Sequence, residues 1–258
     1  MSKYELKGKT AIITGGAGGL GTFMAMEYAR AGANVVVASR NLEPLEKVAA
    51  EVKELGAESL AIAVDITKPD DVNAMVEQVV ERFGSLDVLV NNAGAWGKSS
   101  LAEDSVYEEW VEIIDLNLTG TYNCCIAAGK QMIKQQSGKI INVSSTAGTK
   151  GNPGALHYSA SKAGMISLSN NLSYMWAKHN ICVNTILPGL IATQMLKDYN
   201  IIPSDTDKEG NPVPRLELCP DPEDVANLAL FLASEASDSI TGEQIPIRRW
   251  LKLDRFWQ

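Results

Sequence analysis

Short apolar runs alternate with longer amphipathic segments along most of the chain. The runs are rich in β-branched residues, which favours strands, and the longer segments repeat apolar residues at helical spacing. The predicted strands cover 10–13, 34–38, 59–64, 86–90, 138–144, 181–187 and 242–247. The predicted helices cover the segment from residue 20 to about 32, then 42–55, 69–83, 105–134 with an interruption at 119–120, the segment from 158, and 221–234. This alternation predicts an α/β domain.

Two of the predicted helices are apolar around much of their circumference. The helix over 105–134 carries apolar residues such as Val111, Ile114 and Ile126 on more than one side. We expect one side to cover the sheet and the other to meet a second subunit, as could the helix that begins near Tyr158. Asn117 is a polar exception inside the first of these helices, where an asparagine is often merely exposed.

A glycine-rich turn lies directly between the first strand and the first helix. Its sequence is Thr14-Gly15-Gly16-Ala17-Gly18-Gly19-Leu20-Gly21. Glycines allow a tight turn and a close backbone approach to a pyrophosphate, whose charge then meets the N–H groups at the helix start. The position after a strand and before a helix raises dinucleotide binding above a chance cluster of glycines.

The second strand ends at Ser39-Arg40, where an NAD-binding unit commonly places an acidic residue for the ribose 2′-OH. A hydroxyl and a guanidinium instead suit a 2′-phosphate, because arginine presents a planar fork of donors to phosphate oxygens. The sequence therefore favours NADP(H), with NAD(H) as the alternative cofactor. A solvated arginine before a helix is the competing interpretation.

Polar residues also follow the third and fourth strands. Asp65 stands where an adenine amino group could be met, although an acid in this position is equally common as a turn residue. Asn91-Asn92-Ala93-Gly94 follows the fourth strand, and the ends of such strands carry ligand-facing groups. An ordinary turn is the alternative for this tetrapeptide.

Tyr158 and Lys162 stand four residues apart in a segment with helical spacing, so both side chains emerge on one face. A lysine cation this close to a phenol favours the phenolate, which would let the pair act as acid or base nearer neutrality. Ser145 follows a β-branched run, and its hydroxyl could hydrogen-bond a substrate oxygen. A lone pair with this spacing is frequent by chance, and an exposed helix pair with a loop serine is the competing interpretation.

Composition narrows the class of protein. The formal net charge of −8 argues against a general attraction to nucleic acid or to an anionic membrane. The four cysteines show no CxxC spacing, and the adjacent pair Cys124-Cys125 looks buried in a helix, which predicts reduced thiols and no metal site. No apolar stretch is long enough to span a membrane, and the N-terminus has no apolar leader. We therefore expect a cytoplasmic protein.

A set of motifs occurs in one order along the chain: TGGAGGLG at 14–21, NNAG at 91–94, Asn117, Ser145, YSASK at 158–162 and PGLIAT at 188–193. Together they resemble the short-chain dehydrogenase/reductase family over residues 6 to about 245. The resemblance implies a Rossmann-type, doubly wound, seven-stranded parallel sheet with helices on both faces in a single domain over 1–258. It also implies one dinucleotide bound across the strand ends.

The resemblance further implies roles for the matching residues. Tyr158 would be the catalytic acid or base, and Lys162 would hold the nicotinamide ribose and lower the tyrosine pKa. Ser145 would polarise the substrate carbonyl, and Asn117 would anchor a water for proton relay. The implied cofactor-binding residues are Gly15, Gly19, Leu20, Gly21, Ser39, Arg40, Asp65, Ile66, Asn91, Ala93, Gly94, Tyr158, Lys162, Pro188, Gly189, Ile191 and Thr193.

These roles predict hydride transfer between NADP(H) and the carbonyl or secondary alcohol of a small substrate, sugar-like or a keto acid. A dinucleotide-binding sensor or scaffold without turnover is the alternative, and the intact set of four catalytic residues argues against it. The substrate pocket is expected to draw on Trp96, Thr146, Lys150, His157 and Leu190, with His157 equally explained as a helix-entry residue. A mobile substrate loop is expected over about 190–220.

The C-terminus departs from the family pattern. Members usually close the last strand with an Asp-Gly-Gly turn, whereas here Ile245-Pro246-Ile247 runs into a tail over 248–258 with two tryptophans and a phenylalanine. Pro246 indicates an edge strand, because proline cannot donate to a ladder. Members are commonly dimers or tetramers, so we expect this tail to dock across a two-fold axis, with a frayed terminus as the alternative.

Overall fold

The computed structural model of the chain describes residues 3–198, 202, 204–207 and 209–248. Within them the strands form one parallel sheet in the order β3-β2-β1-β4-β5-β6-β7. The strands are β1 Thr10–Thr14, β2 Asn34–Ser39, β3 Ser59–Ala63, β4 Val88–Asn91, β5 Gly138–Val143, β6 Ile181–Pro188 and β7 Gln244–Ile247. The predicted seven-stranded parallel sheet is confirmed.

Helices connect the strands and cover both faces of the sheet. They are α1 Leu20–Arg30, α2 Leu42–Glu54, α3 Pro69–Phe83, α4 Tyr107–Ile114, α5 Gly120–Gln135, α6 Ala147–Lys150, α7 Leu156–Trp176, α8 Gln194–Asp198 and α9 Pro222–Ala233. No helix in the described part of the chain is long and apolar enough to cross a membrane.

Two apolar cores lie on opposite faces of the sheet. The first packs α1, α2 and α9 against side chains such as Ile13 and Val37. The second packs α3, α5 and α7 against the alternate side chains, such as Ile12 and Val36. Because successive side chains of a strand point to opposite faces, the central strands are apolar at nearly every position, as parallel sheets with two covered faces require.

The expected interruption at 119–120 is wrong. The chain instead runs from α4 into α5 through a π-helical turn, Asp115–Thr119, with no break in the helical backbone. Gly120 serves packing rather than chain reversal, because a Cβ atom there would lie 2.7 Å from Cγ1 of Ile66. The π turn carries Asn117 into the interior, where it is fully buried.

Strand β4 begins two residues later than predicted. The amide of Leu86 donates to Oε1 of Gln135 at 3.1 Å, and the Leu86 carbonyl accepts from Nε2 of the same side chain at 2.9 Å. A side chain of α5 thus takes the place of a ladder partner at this position.

Between β6 and α9 the described residues form only short elements. Besides α8, the described residues form a bridge between Thr206 and Pro212 and a short 3₁₀ turn at Arg215–Glu217. Strand β7 lies at the edge of the sheet and contains Pro246, as predicted. The predictions for the tail beyond Arg248 fall outside the described residues.

Candidate active site

The predicted site residues gather where strands β1, β4, β5 and β6 end. All strands run parallel, so their carboxyl ends share one edge of the sheet. Strand β1 pairs with β2 on one side and with β4 on the other. Because the connections leave in opposite directions from this point, a crevice forms between the two strand ends, which is where such sheets bind ligands.

The glycine turn after β1 uses its glycines in two ways. Gly15 (φ +64°) and Gly21 allow close packing, because a Cβ atom would lie 3.0 Å from Cα of Ala93 and 2.2 Å from the Gly15 carbonyl oxygen, respectively. Gly19 (φ +49°) precedes α1, and a Cβ atom there would meet nothing within 4 Å. The start of α1 therefore faces open space, and Leu20 begins the helix with its side chain against the core.

The start of α1 suits an anion. Its first turn contains no acidic residue, and Gly19 supplies no side-chain cap to the exposed N–H groups. The Gly21 amide donates to the Gly18 carbonyl at 3.0 Å, and the positive end of the helix dipole with the remaining uncapped amides favours a negative charge at the turn. The residues present therefore fit a pyrophosphate, as the sequence predicts.

The tetrapeptide after β4 is tied to the glycine turn through Thr14 and Asn92, two residues that sequence reasoning missed. Oγ1 of Thr14 accepts from the amides of Asn92 and Ala93, both at 3.1 Å. Nδ2 of Asn92 donates to the carbonyls of Thr14 and Gly15, again at 3.1 Å. In the sequence, this link is indicated by the threonine that ends β1 and by the second asparagine of the NNAG motif.

Ser39 and Arg40 lie at the end of β2, beside the glycine turn. Arg40 is exposed, and its charge helps to lower the pKa of Asp65, after the larger effect of the Thr67 hydroxyl. Oδ1 of Asp65 accepts from Oγ1 of Thr67 at 2.8 Å and from the Thr67 amide at 3.1 Å. Asp65 is therefore a turn residue, which was the alternative interpretation of its position. Its carboxylate stays partly exposed.

Two predicted cofactor residues turn their side chains into the interior. Nδ2 of Asn91 donates to Oδ1 of Asn142 at 2.8 Å, and Asn91 is only 1% exposed. The side chain of Ile66 is buried in the second core, and its carbonyl accepts from Asn123 at 3.0 Å. Neither side chain is accessible in this arrangement, so a cofactor contact by either residue stays a prediction for its backbone. Asn91 is buried against β5 and Ile66 against α5, which the sequence pattern does not resolve.

Lys162 is a buried ammonium at the end of β5. Its Nζ donates to the Val143 carbonyl at 2.9 Å, and its own carbonyl accepts from the Ser144 hydroxyl at 2.8 Å. Burial lowers the pKa of Lys162 to about 8, because the charged form loses its hydration. The lysine is fixed to the strand that leads into Ser145.

Tyr158 lies on the same face of α7 as Lys162, as predicted, with the Lys162 Nζ 5.7 Å from the centre of its ring. Burial raises the pKa of Tyr158, and the hydrogen bond with the Ser145 hydroxyl opposes that rise. The net pKa of Tyr158 is therefore raised in the protein alone, and the lowering effect that the resemblance assigns to Lys162 stays a prediction. The reason is desolvation: the phenol is mostly buried, and the lysine beside it is itself discouraged from carrying charge.

Asn117 holds the loop that follows the NNAG motif. Its Oδ1 accepts from the Ala95 amide at 2.8 Å, and its Nδ2 donates to the Ala95 carbonyl at 2.9 Å and to Oγ of Ser161 at 3.0 Å. A Cβ atom on Gly94 would lie 3.0 Å from Oδ1 of Asn117 and 3.4 Å from Nζ of Lys162. The side chain is thus fully engaged, which leaves only its backbone carbonyl, already accepting from Thr121, for the predicted water.

The PGLIAT segment after β6 lines the same edge. The Pro188 carbonyl accepts from the Thr146 amide at 3.0 Å, and the Gly189 amide donates to the Ile247 carbonyl at 2.8 Å. Ile191 is buried in the first core. Oγ1 of Thr193 is buried and forms no hydrogen bond, so a polar group on a bound ligand would satisfy it. That orphaned hydroxyl fits the predicted carboxamide contact.

Trp96 lies directly against Tyr158. The two ring centres are 4.6 Å apart with an interplanar angle of 36°, and 42% of Trp96 remains exposed. Trp96 is therefore placed where the sequence expected a pocket residue. His157, by contrast, is only 5% exposed and is turned into the protein.

The arrangement joins an anion-binding helix start to a phenol, a serine hydroxyl and a buried amine. Within the described part of the chain, no three His, Cys, Asp or Glu side chains are grouped to hold a metal ion. Cys124 and Cys125 are buried in α5, as predicted. The groups at the edge are those that hydrogen-bond and protonate an oxygen.

Comparison with known proteins gives consistent matches over nearly the whole chain. Residues 9–201 match the sequence model of a family described as short chain dehydrogenase. The 3-oxoacyl-[acyl-carrier-protein] reductase FabG of Staphylococcus aureus is 40% identical over 242 residues, which cover 93% of this chain and 96% of that protein. The enzyme of the same name from Chlamydia trachomatis is 40% identical over 243 residues, covering 94% and 96%.

Solved structures of similar proteins have the same fold. An NAD⁺-bound xylitol dehydrogenase superposes with a TM-score of 0.87 at 29% identity, covering 95% of this chain and 99% of the other. A levodione reductase superposes with a TM-score of 0.86 at 28% identity, covering 95% and 97%.

The burial of Lys162 predicts how the stability of the protein changes with pH. Its pKa in the folded state is about 8, below the unfolded value of 10.5, so between these values the unfolded chain binds more protons than the folded one. The free energy of unfolding of the wild type should then rise with pH relative to Lys162→Met, by up to about 1.4 kcal/mol per pH unit. Below pH 8 the difference should be constant.

Urea unfolding at pH 7.5, 8.5 and 9.5 measures this difference. The exposed Lys134→Met variant is the control for removing one positive charge. If the free energy of unfolding depends on pH in the same way for the wild type and Lys162→Met, the pKa of Lys162 is not lowered by burial.

Proposed function

Because the chain belongs to the short-chain dehydrogenase family, we propose that it transfers hydride between NADP(H) and the carbonyl or secondary alcohol of a small organic substrate. One observation carries the proposal. Tyr158, with the Ser145 hydroxyl near enough to act on its pKa and with Lys162 beside it, lies at the same edge of the sheet as an acid-free helix start. A proton donor is thereby placed next to a site for a dinucleotide.

Ser145 and Tyr158 are proposed to share the substrate oxygen. The Ser145 hydroxyl lies close enough to Tyr158 to act on its pKa, so a carbonyl oxygen placed between the two hydroxyls would receive two donors. Tyr158 gives its proton to that oxygen as negative charge develops there, and Ser145 stabilises the charge. In the reverse direction the Tyr158 oxygen removes the proton from an alcohol.

The raised pKa of Tyr158 suits the acid role. A phenol that keeps its proton at neutral pH is ready to donate it to a developing alkoxide. Lys162 stands behind it with a pKa of about 8, so it can hold or release a proton under mild conditions. We propose that Lys162 resupplies the proton, with a water held by the Asn117 backbone as the next carrier.

The cofactor site is proposed from the same edge. NADP(H) supplies the hydride when it is bound. The glycine turn at 15–21 would hold the pyrophosphate, and Lys162 and Thr193 would contact the nicotinamide ribose and carboxamide. Gly94, Pro188, Gly189 and the backbones of Asn91 and Ala93 would line the crevice between them.

NADP(H) is proposed over NAD(H) because of Ser39 and Arg40. No acidic residue follows β2 directly, and the Arg40 side chain is exposed beside the glycine turn. A guanidinium in this position attracts a 2′-phosphate, while an acid would repel it. The xylitol dehydrogenase named above is bound to NAD⁺, but Ser39 and Arg40 favour NADP(H) in this chain.

The substrate is proposed to be small, either sugar-like or a keto acid. The relatives named above are a ketoacyl reductase, a polyol dehydrogenase and a levodione reductase, so relatives of this fold act on several carbonyl and alcohol classes. A dinucleotide-binding protein without turnover is disfavoured, because Asn117, Ser145, Tyr158 and Lys162 are all present at one edge.

The chain is also proposed to form a dimer or tetramer. Three helices carry exposed apolar side chains: Val111 on α4, Tyr122 on α5, and Tyr174 (87% exposed) and Met175 (61% exposed) on α7. Large apolar side chains in this number favour contact with a second subunit.

Tyr158→Phe should lower kcat/KM for ketone reduction by about 10²–10⁴-fold, because only the transferable proton is lost. NADPH affinity, measured by fluorescence titration, should stay nearly unchanged because the ring remains. Tyr174→Phe, on the exposed side of the same helix, is the matched control and should keep full activity. Activity of Tyr158→Phe within tenfold of the wild type would exclude this residue as the proton donor.

The double variant Ser39→Asp, Arg40→Ala should shift the preference from NADPH towards NADH. It removes a cation and adds a carboxylate that repels the 2′-phosphate. The ratio of kcat/KM for the two cofactors measures the shift. Arg82→Ala, which removes an exposed cation at the end of α3, is the control. An unchanged ratio in the double variant would place the 2′-phosphate contacts elsewhere.

The double variant Tyr174→Glu, Met175→Glu should reduce the molar mass measured by light scattering to that of a smaller assembly or the monomer. Carboxylates at these positions would have to be buried without partners in an interface. Leu55→Glu, an exposed apolar residue at the end of α2, is the control and should leave the mass unchanged. A parental mass for the double variant would show that this side of α7 lies outside any interface.

A further inference from the structure

Four consecutive residues after the NNAG motif are each held by a different group near the catalytic residues. Ala95 is bound through both backbone atoms by the Asn117 side chain. Trp96 packs on the Tyr158 ring. Lys98 is hydrogen-bonded by one side chain, and Gly97 packs against another, and the catalytic mechanism uses neither.

Those side chains are His157 and Glu109. Gly97 lies so close to the imidazole that a Cβ atom there would be 2.4 Å from Nε2 of His157, and its φ of +79° is one that L side chains rarely adopt. The Lys98 amide donates to Oε1 of Glu109, and the same oxygen lies 3.6 Å from Nε2 of His157. Glu109 therefore holds the backbone immediately after Trp96 by a hydrogen bond, and His157, whose buried Nε2 forms none, packs against the same backbone; together they form a clamp on it.

The clamp is largely removed from solvent. The His157 side chain is 6% exposed and the Glu109 side chain 19% exposed, and they join α4 to the start of α7. His157 directly precedes Tyr158, so the element that carries the phenol also fixes the loop that carries the indole. The relative position of the two rings is thereby determined from both sides.

We propose that Trp96 is a specificity-determining residue that favours ketones whose carbonyl carbon belongs to a ring, and that Glu109 and His157 are positioning residues for it. The proposal rests on the proposed function, because it assumes that the substrate carbonyl is held at Tyr158. Of the two substrate classes proposed above, this inference favours sugar-like substrates with a ring carbonyl over open-chain keto acids.

The shape of Trp96 explains the choice. With 42% of its surface exposed, the indole leaves an aromatic wall beside the phenol that would meet the carbonyl. A ring presents one flat C–H face to such a wall without further ordering. An open chain presents less area and loses rotational freedom when it lies flat, so it gains less from the same contact.

Pairs of ring and open-chain ketones of equal carbon number test this preference. Cyclohexanone is compared with 2-hexanone, and ethyl 2-oxocyclohexanecarboxylate with ethyl 3-oxoheptanoate, by NADPH-dependent reduction. Trp96→Ala should lower kcat/KM for each ring ketone by about tenfold, mainly through KM, and for each open-chain ketone by less than about threefold. Trp96→Phe keeps an aromatic face and should stay within about threefold of the wild type on all four.

The positioning role is tested with Glu109→Ala and Glu109→Gln. The alanine variant loses the acceptor for the Lys98 amide and should reproduce the ring-selective loss of Trp96→Ala. The glutamine variant keeps an oxygen acceptor and can donate to His157, so it should restore most of the activity. Near-ultraviolet circular dichroism gives a readout without turnover: Glu109→Ala, but not Glu109→Gln, should alter the signal that Trp96→Phe identifies as arising from the two packed rings.

His157→Gln replaces Glu109→Ala if the latter fails to fold, and the same ring-selective loss is expected. Equal losses on ring and open-chain ketones in Trp96→Ala would overturn the inference while leaving the proposed function intact. Equal effects of Glu109→Ala and Glu109→Gln would overturn the positioning role. A wild type that reduces none of the four ketones with either NADPH or NADH would overturn this inference, whereas the proposed function falls only if sugars and keto acids are not turned over either.

Discussion

The burial of the Lys162 ammonium is the constraint on which the geometry of the site depends. An unpaired buried charge is costly, so Nζ must find an acceptor, and the Val143 carbonyl at 2.9 Å provides one at the end of β5. The Ser144 hydroxyl completes the attachment by bonding the Lys162 carbonyl. One turn of α7 earlier stands Tyr158, and one residue after Ser144 stands Ser145, so the same two hydrogen bonds set the distance between the catalytic hydroxyls.

Close backbone contacts extend this constraint across the crevice. Gly94 leaves room for both the Asn117 amide and the Lys162 amine, and Gly15 leaves room for the backbone of Ala93. Thr14 and Asn92 then lock the ends of β1 and β4 together through four hydrogen bonds. The dinucleotide side and the catalytic side of the site are therefore parts of one packed unit, and a side chain at either glycine would disturb both.

Sequence reasoning identified what depends on local periodicity and missed what depends on packing. The helix over Pro69–Phe83 was predicted to the residue, because Pro69 and the left-handed Gly84 mark its ends. The shared face of Tyr158 and Lys162 followed from their spacing. The inward turn of Asn91, the π turn that buries Asn117 and the raised pKa of Tyr158 arise from neighbours distant in sequence. The clamp of Glu109 and His157 on Trp96 has the same origin, since its members are brought together only when α4 packs on α7.

The proline in the last strand has a consequence for how molecules of this protein meet. The carbonyls of Glu243 and Ile247 accept hydrogen bonds from backbone amides on the β6 side. Backbone groups alternate in direction along a strand, so those of Gln244 and Pro246 point away from β6. Pro246 occupies one of those positions and offers no N–H to a strand approaching from outside. A second copy therefore cannot continue the hydrogen-bonded sheet at this edge without a missing rung. Among the described residues, this missing donor works against the addition of a further strand at the β7 edge of the sheet.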